Sequence, residues 1–204
     1  MFDEFFNVCV SGDYEKLVEL LEVDVEKPFL KAKSEDGKTG LELASSFGHL
    51  NIVQELLKTG AQINSVSDRG YSLIHWAACW GHLHVVKYLV DAGAHISCKN
   101  IHNETAKQIA ERYKRNDCVI YLEKAELLFE LKRLATSYKE VIADPEKNMG
   151  KLTKEDKIHG NRYCDEKIYW IENNRDMASA QQISDKINEL KEQLRDSMSK
   201  LDDS

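Results

Sequence analysis

The chain has only two prolines in 204 residues, Pro28 and Pro145, so it carries few obligatory breaks and suits a helical fold. Its five cysteines follow no regular spacing, which argues against a disulfide framework and for a reducing compartment. The longest run without a charged side chain, Gly70 to Val86, contains three histidines and is too short to span a membrane. The opening residues MFDEFFNVCV place acidic groups where a secretory leader needs basic ones, so a cytoplasmic protein without membrane insertion is expected. A basic cluster is also lacking. The net charge is −7, with 16 basic and 20 acidic side chains up to residue 134 and 12 and 15 after it, so the acidity is spread evenly and no nucleic-acid partner is expected. The glycine patterns that cradle phosphates do not occur.

What the sequence does contain is a recurrence. Gly37 maps onto Gly70, Ala44 onto Ala77, Gly48-His49-Leu50 onto Gly81-His82-Leu83, and Gly60-Ala61 onto Gly93-Ala94, each at an offset of 33 residues. A fixed period of that length with glycines at both turns is the mark of a solenoid of helical hairpins. Leu50, Val53, Leu56 and Leu57 form one apolar helix face, and Leu83, Val86, Leu89 and Val90 form the same face one period later. No single hairpin covers such a face, so neighbours must stack.

These stretches resemble ankyrin repeats. Ser72-Leu73-Ile74-His75-Trp76-Ala77 stands where that family has Thr-Pro-Leu-His-x-Ala, and Gly81-His82-Leu83 matches its turn between helices. Leu73 and Gly40 depart from the family's proline, and Glu42 from its histidine. Residues 2–22 read as a degenerate first repeat with Gly12-Asp13 at the turn, 36 residues before Gly48, so the connection around Pro28 and Phe29 is three residues longer than standard. A fourth repeat is expected from Ile101, because Ala110, Val119 and Leu122 keep the phase although Arg115-Asn116-Asp117 replaces the Gly-His turn.

Past Leu122 the pattern changes. Leu127, Leu131, Leu134, Tyr138 and Val141 alternate by four and three, predicting one long helix that stops at Ala143-Asp144-Pro145. Thr153 with Asp156, and Ser179 with Gln182, read as capping boxes that start two more helices. Ile158, Cys164, Ile168 and Ile171 mark the first of these, and Ile183, Ile187, Leu190, Leu194 and Leu201 the second. The expected fold is therefore all-α: an ankyrin-repeat solenoid of about four repeats over residues 1–124, then an antiparallel helical bundle over 125–204. The second part resembles the C-terminal helical lid of heat-shock-70 chaperones, through Gly150-Lys151-Leu152-Thr153 to Asp156, Cys164 and Ile168-Tyr169-Trp170-Ile171-Glu172. Nothing resembles those chaperones' ATPase or peptide-binding domains, so their catalysis is not carried over.

No catalytic, cofactor-binding or metal-binding residue is assigned. Cys79, His82, His84, His95 and Cys98 are near in sequence but do not supply four ligands at fitting spacings. In the ankyrin family the position of His75 holds a histidine that hydrogen-bonds between neighbouring turns. Phe47, Trp80 and Tyr113 share one repeat position at the end of each first helix, where the family exposes variable side chains on its concave face. Two readings of this stripe stand: a binding hot spot, or aromatics that fill space between adjacent helices. Glu35 and Lys38, Arg69 and Tyr71, and His102 and Glu104 recur at the hairpin tips and are expected to form a polar rim.

The pairing of ankyrin repeats with a lid-like bundle implies, by resemblance, a non-enzymatic scaffold or adaptor that binds a protein partner and is linked to cytoskeletal structures such as the division midbody or the cilium. Two alternatives remain open at this point. One is a structural component of a ciliary or axonemal microtubule complex, and the other is a regulator of a heat-shock-70 chaperone.

Overall fold

The computed structural model describes residues 2–23 and 28–202. Four helical hairpins follow one another in chain order. They are α1 (Phe2–Ser11) with α2 (Tyr14–Val23), α3 (Gly40–Phe47) with α4 (Leu50–Lys58), α5 (Leu73–Trp80) with α6 (Leu83–Asp91), and α7 (Ala106–Arg112) with α8 (Asn116–Ala143). A single 3-10 turn, Pro28–Leu30, lies between the first two pairs, and the longer connection expected there falls partly outside the described residues. The first helices of successive pairs pack side by side, α1 on α3, α3 on α5 and α5 on α7, while α2, α4 and α6 form an outer row. Among the described residues no strand forms. Two isolated antiparallel bridges, Lys33 with Thr39 and Val66 with Ser72, close hairpin tips between the repeats.

Composition explains the packing. Ala44, Ala77 and Ala110 are fully buried at one repeat position, and their size lets the inner helices approach. On the outer row Ile52, Val53 and Leu56, then Val85, Val86 and Leu89, are buried in the same register, and Cys118 and Leu122 continue it on α8. Each such aliphatic side chain contributes about 1.5–3 kcal/mol by leaving water.

Glu42, Gly40 and the altered turn of the fourth repeat each have a local reason. Thr39 caps α3 by accepting from Glu42 N at 3.2 Å, while the Glu42 carboxylate accepts from Thr39 N at 2.8 Å. Ser72 with His75 and Thr105 with Gln108 repeat that reciprocal arrangement on α5 and α7, so histidine, glutamate and glutamine all serve one capping position. At Gly40 an added Cβ would sit 2.4 Å from the Phe5 ring and 2.9 Å from Cys9 Sγ, so no larger residue fits while Phe5 fills that space. In the fourth repeat the glycine of the tight turn is replaced rather than lost. Lys114, 33 residues after Gly81, adopts φ 57°, and Asn103, 33 after Gly70, adopts φ 61°. The turn keeps its left-handed geometry without glycine.

Backbone contacts divide the chain into residues 1–122 and 123–204, with α8 passing from one to the other. In the second unit the rest of α8 joins α9 (Pro145–Asn148), α10 (Lys154–Asn174) and α11 (Ala180–Asp202). Asp144 caps α9 directly before Pro145, and buried Asn148 donates from Nδ2 to the carbonyls of Val141, Ile142 and Asp144, which satisfies the end of α8. The core comprises Leu131, Ala135, Tyr138 and Ile142 from α8, Leu152, Cys164 from α10, Ala178, and Ile183, Ile187, Leu190 and Leu194 from α11. Both expected capping boxes form, Thr153 with Asp156 and Ser179 with Gln182.

Two sequence expectations are corrected. The α8 seam runs through Ala135 and Ile142, leaving Leu134 and Val141 half-buried, because small Ala135 sits where the helix meets its neighbours. On α10 the buried positions are Gly160, Cys164 and Lys167, so Ile158 is turned outward and exposed. Lys167 is buried yet ion-paired, its ammonium 2.8 Å from Glu189, which Lys186 also reaches at 2.6 Å. Those two ammonium groups hold the Glu189 carboxyl below its ordinary range.

Gly160 allows a close approach, since an added Cβ would lie 2.5 Å from the Tyr138 ring and 3.0 Å from Ile142 Cδ1. Gly160→Ala is therefore expected to destabilise the second unit by about 1–3 kcal/mol despite its better helix propensity, read as a lower denaturant midpoint. Lys114→Gly is expected to do the opposite for the first unit. Removing a left-handed lysine is worth about 1–2 kcal/mol, partly offset by glycine's backbone entropy, so a net gain of roughly 0.5–1 kcal/mol should appear in chemical denaturation.

Candidate protein-binding surface

The repeats are aligned by side chains that reach back one hairpin. His49 Nε2 lies 2.8 Å from the Val10 carbonyl, and His82 Nε2 lies 2.9 Å from that of Ser46. In the fourth repeat Arg115 takes over, its Nε–H donating to Cys79 O at 3.1 Å. His84 Nε2 adds a further bond to Gly48 O at 2.8 Å. Carbonyl oxygens only accept, so each of these ring nitrogens carries the hydrogen.

His75 works inside the stack. Its Nε2 donates to the Glu104 carbonyl at 3.2 Å, and its Nδ1 accepts from Ser72 N at 3.1 Å and from the Ser72 hydroxyl at 2.8 Å. The ring is fully buried and must be neutral to accept at Nδ1, and burial pushes its pKa down. Burial also lowers His82. Cys98 donates its thiol hydrogen to His95 O at 2.9 Å and lies 3.4 Å from the Ser72 hydroxyl. Among the described residues no three His, Cys, Asp or Glu side chains converge as a metal site, and no helix is long and apolar enough to cross a membrane.

With the repeats in register, the last turn of each inner helix presents the expected aromatics. Phe47, Trp80 and Tyr113 are 50%, 54% and 48% exposed, so about half of each surface is available to a partner. The tip residues divide. Glu35, Arg69 and His102 are exposed, whereas Lys38 and Tyr71 are half-buried against Trp76. The Tyr71 and Trp76 ring centroids are 4.9 Å apart with planes 28° from parallel, and the Lys38 ammonium lies 4.3 Å from the Trp76 centroid. Arg112 joins them from α7. It pairs with Glu104 at 3.2 Å and lies 5.0 Å over the Tyr113 ring.

Sequence reasoning passed over several members of this surface. Val10, Ser46, Cys79 and Arg112 share a single register, and Val10 and Arg112 are exposed there. Phe2, 36 residues before Lys38, continues the surface onto the first repeat, where a depression of about 320 Å³ lies between Phe2, Phe6 and the tip residues Ala32 to Glu35. The repeat offset would have found all of them. Trp76 packs against Tyr71 and Lys38, but its Nε1–H is buried without an acceptor among the described residues.

Stacked helix pairs at a 33-residue period, reciprocal caps at the start of the inner helices, and turn residues bonded back to the preceding repeat define an ankyrin-repeat protein. The family model for ankyrin repeats in three copies matches residues 5–100, and ankyrin repeats are a protein–protein interaction module. Beyond the repeats, the chain is 38% identical over 192 residues to human ankyrin repeat domain-containing protein 45, covering 91% of the chain and 69% of that protein. The mouse protein of the same name is 36% identical over 197 residues, covering 93% of the chain and 77% of its own length. The zebrafish one is 37% identical over 133 residues, covering 65% and 59%. The chain belongs to the family of ankyrin repeat domain-containing protein 45. No catalytic family is indicated by these matches.

Buried His75 and half-buried His82 give the stack a pH dependence of defined sign. In the unfolded chain an imidazole binds a proton near pH 6.5, while folded His75 and His82 resist it. The unfolded state thus binds more protons below that pH, and stability present above about 6.5 is lost as the pH falls. The urea midpoint of the first unit should drop between pH 7.5 and 5.5, and His75→Gln should flatten that slope while lowering stability at pH 7.5.

Proposed function

We propose that the chain is a non-enzymatic adaptor that seats a protein partner on the concave face of its repeats. The repeats over 1–124 form the binding domain and the bundle over 125–204 a second domain. Phe47, Trp80 and Tyr113 act as anchors, with Glu35, Lys38, Arg69, Tyr71 and His102 around them. The observation that carries this reading is the half-exposure of three large aromatics at one repeat position. Aromatics that only filled space between inner helices would be buried, as Ala44, Ala77 and Ala110 are. Large rigid rings in a partly desolvated setting are the residues most often found at binding hot spots. The cysteines are free thiols, which suits a cytoplasmic setting.

The pairing of repeats with a lid-like bundle supports a partner within a cytoskeletal assembly such as the cilium or the midbody. An adaptor exchanges between bound and free pools, so fractionated cells should contain a freely soluble pool. Salt-resistant retention of all the protein in a cytoskeletal fraction would instead favour a permanent structural component.

Trp80→Ala is expected to weaken partner capture at least tenfold, the ~2 kcal/mol scale of a hot-spot anchor, while the melting temperature falls by only a few degrees. Proximity labelling in cells expressing either form, together with thermal melts of the purified chains, measures both. A large loss of stability would make Trp80 a core residue and remove the basis of the reading.

A further inference from the structure

We infer that the occupant of this face is an acidic, extended peptide segment that places an Asp or Glu carboxylate between Lys38 and Arg112, over Trp76 and Cys79, and an apolar side chain beside it on Trp80. The inference rests on the concave-face reading and specifies the partner's chemistry.

Four observations carry it. Lys38 projects its ammonium onto the Trp76 ring at 4.3 Å, and no carboxylate of the described residues pairs with it, although Glu35 and Asp36 lie on the same tip. Arg112 reaches the same place from the next repeat but one, its single described carboxylate partner being Glu104. Cys79, one residue before Trp80, has Arg112, Arg115 and Lys38 near enough to favour its thiolate, although burial outweighs them and raises its pKa. The chain as a whole carries −7, so the convergence of Lys38 and Arg112 on this face departs from its average charge.

The physical consequence is a local attraction for anions beside apolar surface. A carboxylate here would gain two charge-assisted hydrogen bonds, and an aliphatic or aromatic neighbour would cover the exposed half of Trp80. Under Lys38 the Trp76 Nε1–H has no acceptor among the described residues. An extended segment suits the site because the anchors lie one repeat apart and not on a single helix-sized groove.

The test is selection of a displayed library of random peptides, roughly twelve residues long, on the full chain, with the Trp80→Ala chain as counter-selection. Enriched peptides should carry Asp or Glu next to Leu, Ile, Phe or Trp. Their affinity should fall at least tenfold with Lys38→Glu and again with Arg112→Gln, be kept by Lys38→Arg, and weaken as salt rises from about 50 to about 500 mM. Circular dichroism establishes that each variant is folded. Peptides that need Trp80 but are neutral or basic, or that ignore Lys38→Glu, overturn the acidic partner and leave the concave-face reading standing. Peptides indifferent to Trp80→Ala, or a selection that enriches none, overturn both.

Discussion

Everything in the repeat half depends on one hairpin's need for the next. A two-helix unit of this size leaves an apolar face uncovered, and the structure closes it by placing fully buried alanines where inner helices meet and branched aliphatics where outer helices meet. Burial alone would tolerate sliding. The register is held by directional bonds from each turn to a carbonyl of the preceding hairpin, through His49, His82 and Arg115. That arginine does the work of a histidine shows the requirement to be a donor of sufficient reach, not an imidazole. The same economy appears at the caps, where Glu42, His75 and Gln108 are interchangeable because each reaches back to the backbone N–H of its cap residue.

Register is what turns a repeated sequence into a surface. Once the hairpins are aligned, a residue type at one repeat position becomes a row across neighbouring helices. Phe47, Trp80 and Tyr113 share one repeat position and are half exposed, and Lys38 and Tyr71 lie on Trp76 nearby in the chain. The interactions here are ring on ring and cation on ring, with one ion pair, of Arg112 with Glu104. They position cations beside aromatics without neutralising Lys38, an arrangement with little value for stability at a solvent-facing site. The bundle follows a different logic. Its three long helices share one apolar seam, and its charged groups either lie outside or are paired, as buried Lys167 is with Glu189.

Much of this was legible in the chain, and the reasons differ by feature. The hairpins, their order and the start of each bundle helix follow from periodicity and capping residues, which act over three or four positions. So does the row of exposed aromatics, because a fixed offset carries a position from one repeat to the next. The fates of Ile158 and Ala135 were not legible. Which of several apolar faces a helix buries depends on the neighbour it meets, and a glycine such as Gly160 can draw that contact to its own side.

The sequence by itself therefore determined the repeat, the caps that start α10 and α11, and the resemblance to ankyrin repeats, since these rest on local bonding and on spacing along the chain. Only the tertiary structure decided that Lys114 and Asn103 keep the turns of the fourth repeat, that Arg115 replaces the turn histidine, and that Lys38 and Tyr71 lie on Trp76 instead of on the rim. Those outcomes depend on distances between residues about 33 positions apart, which stacking sets and no single repeat contains.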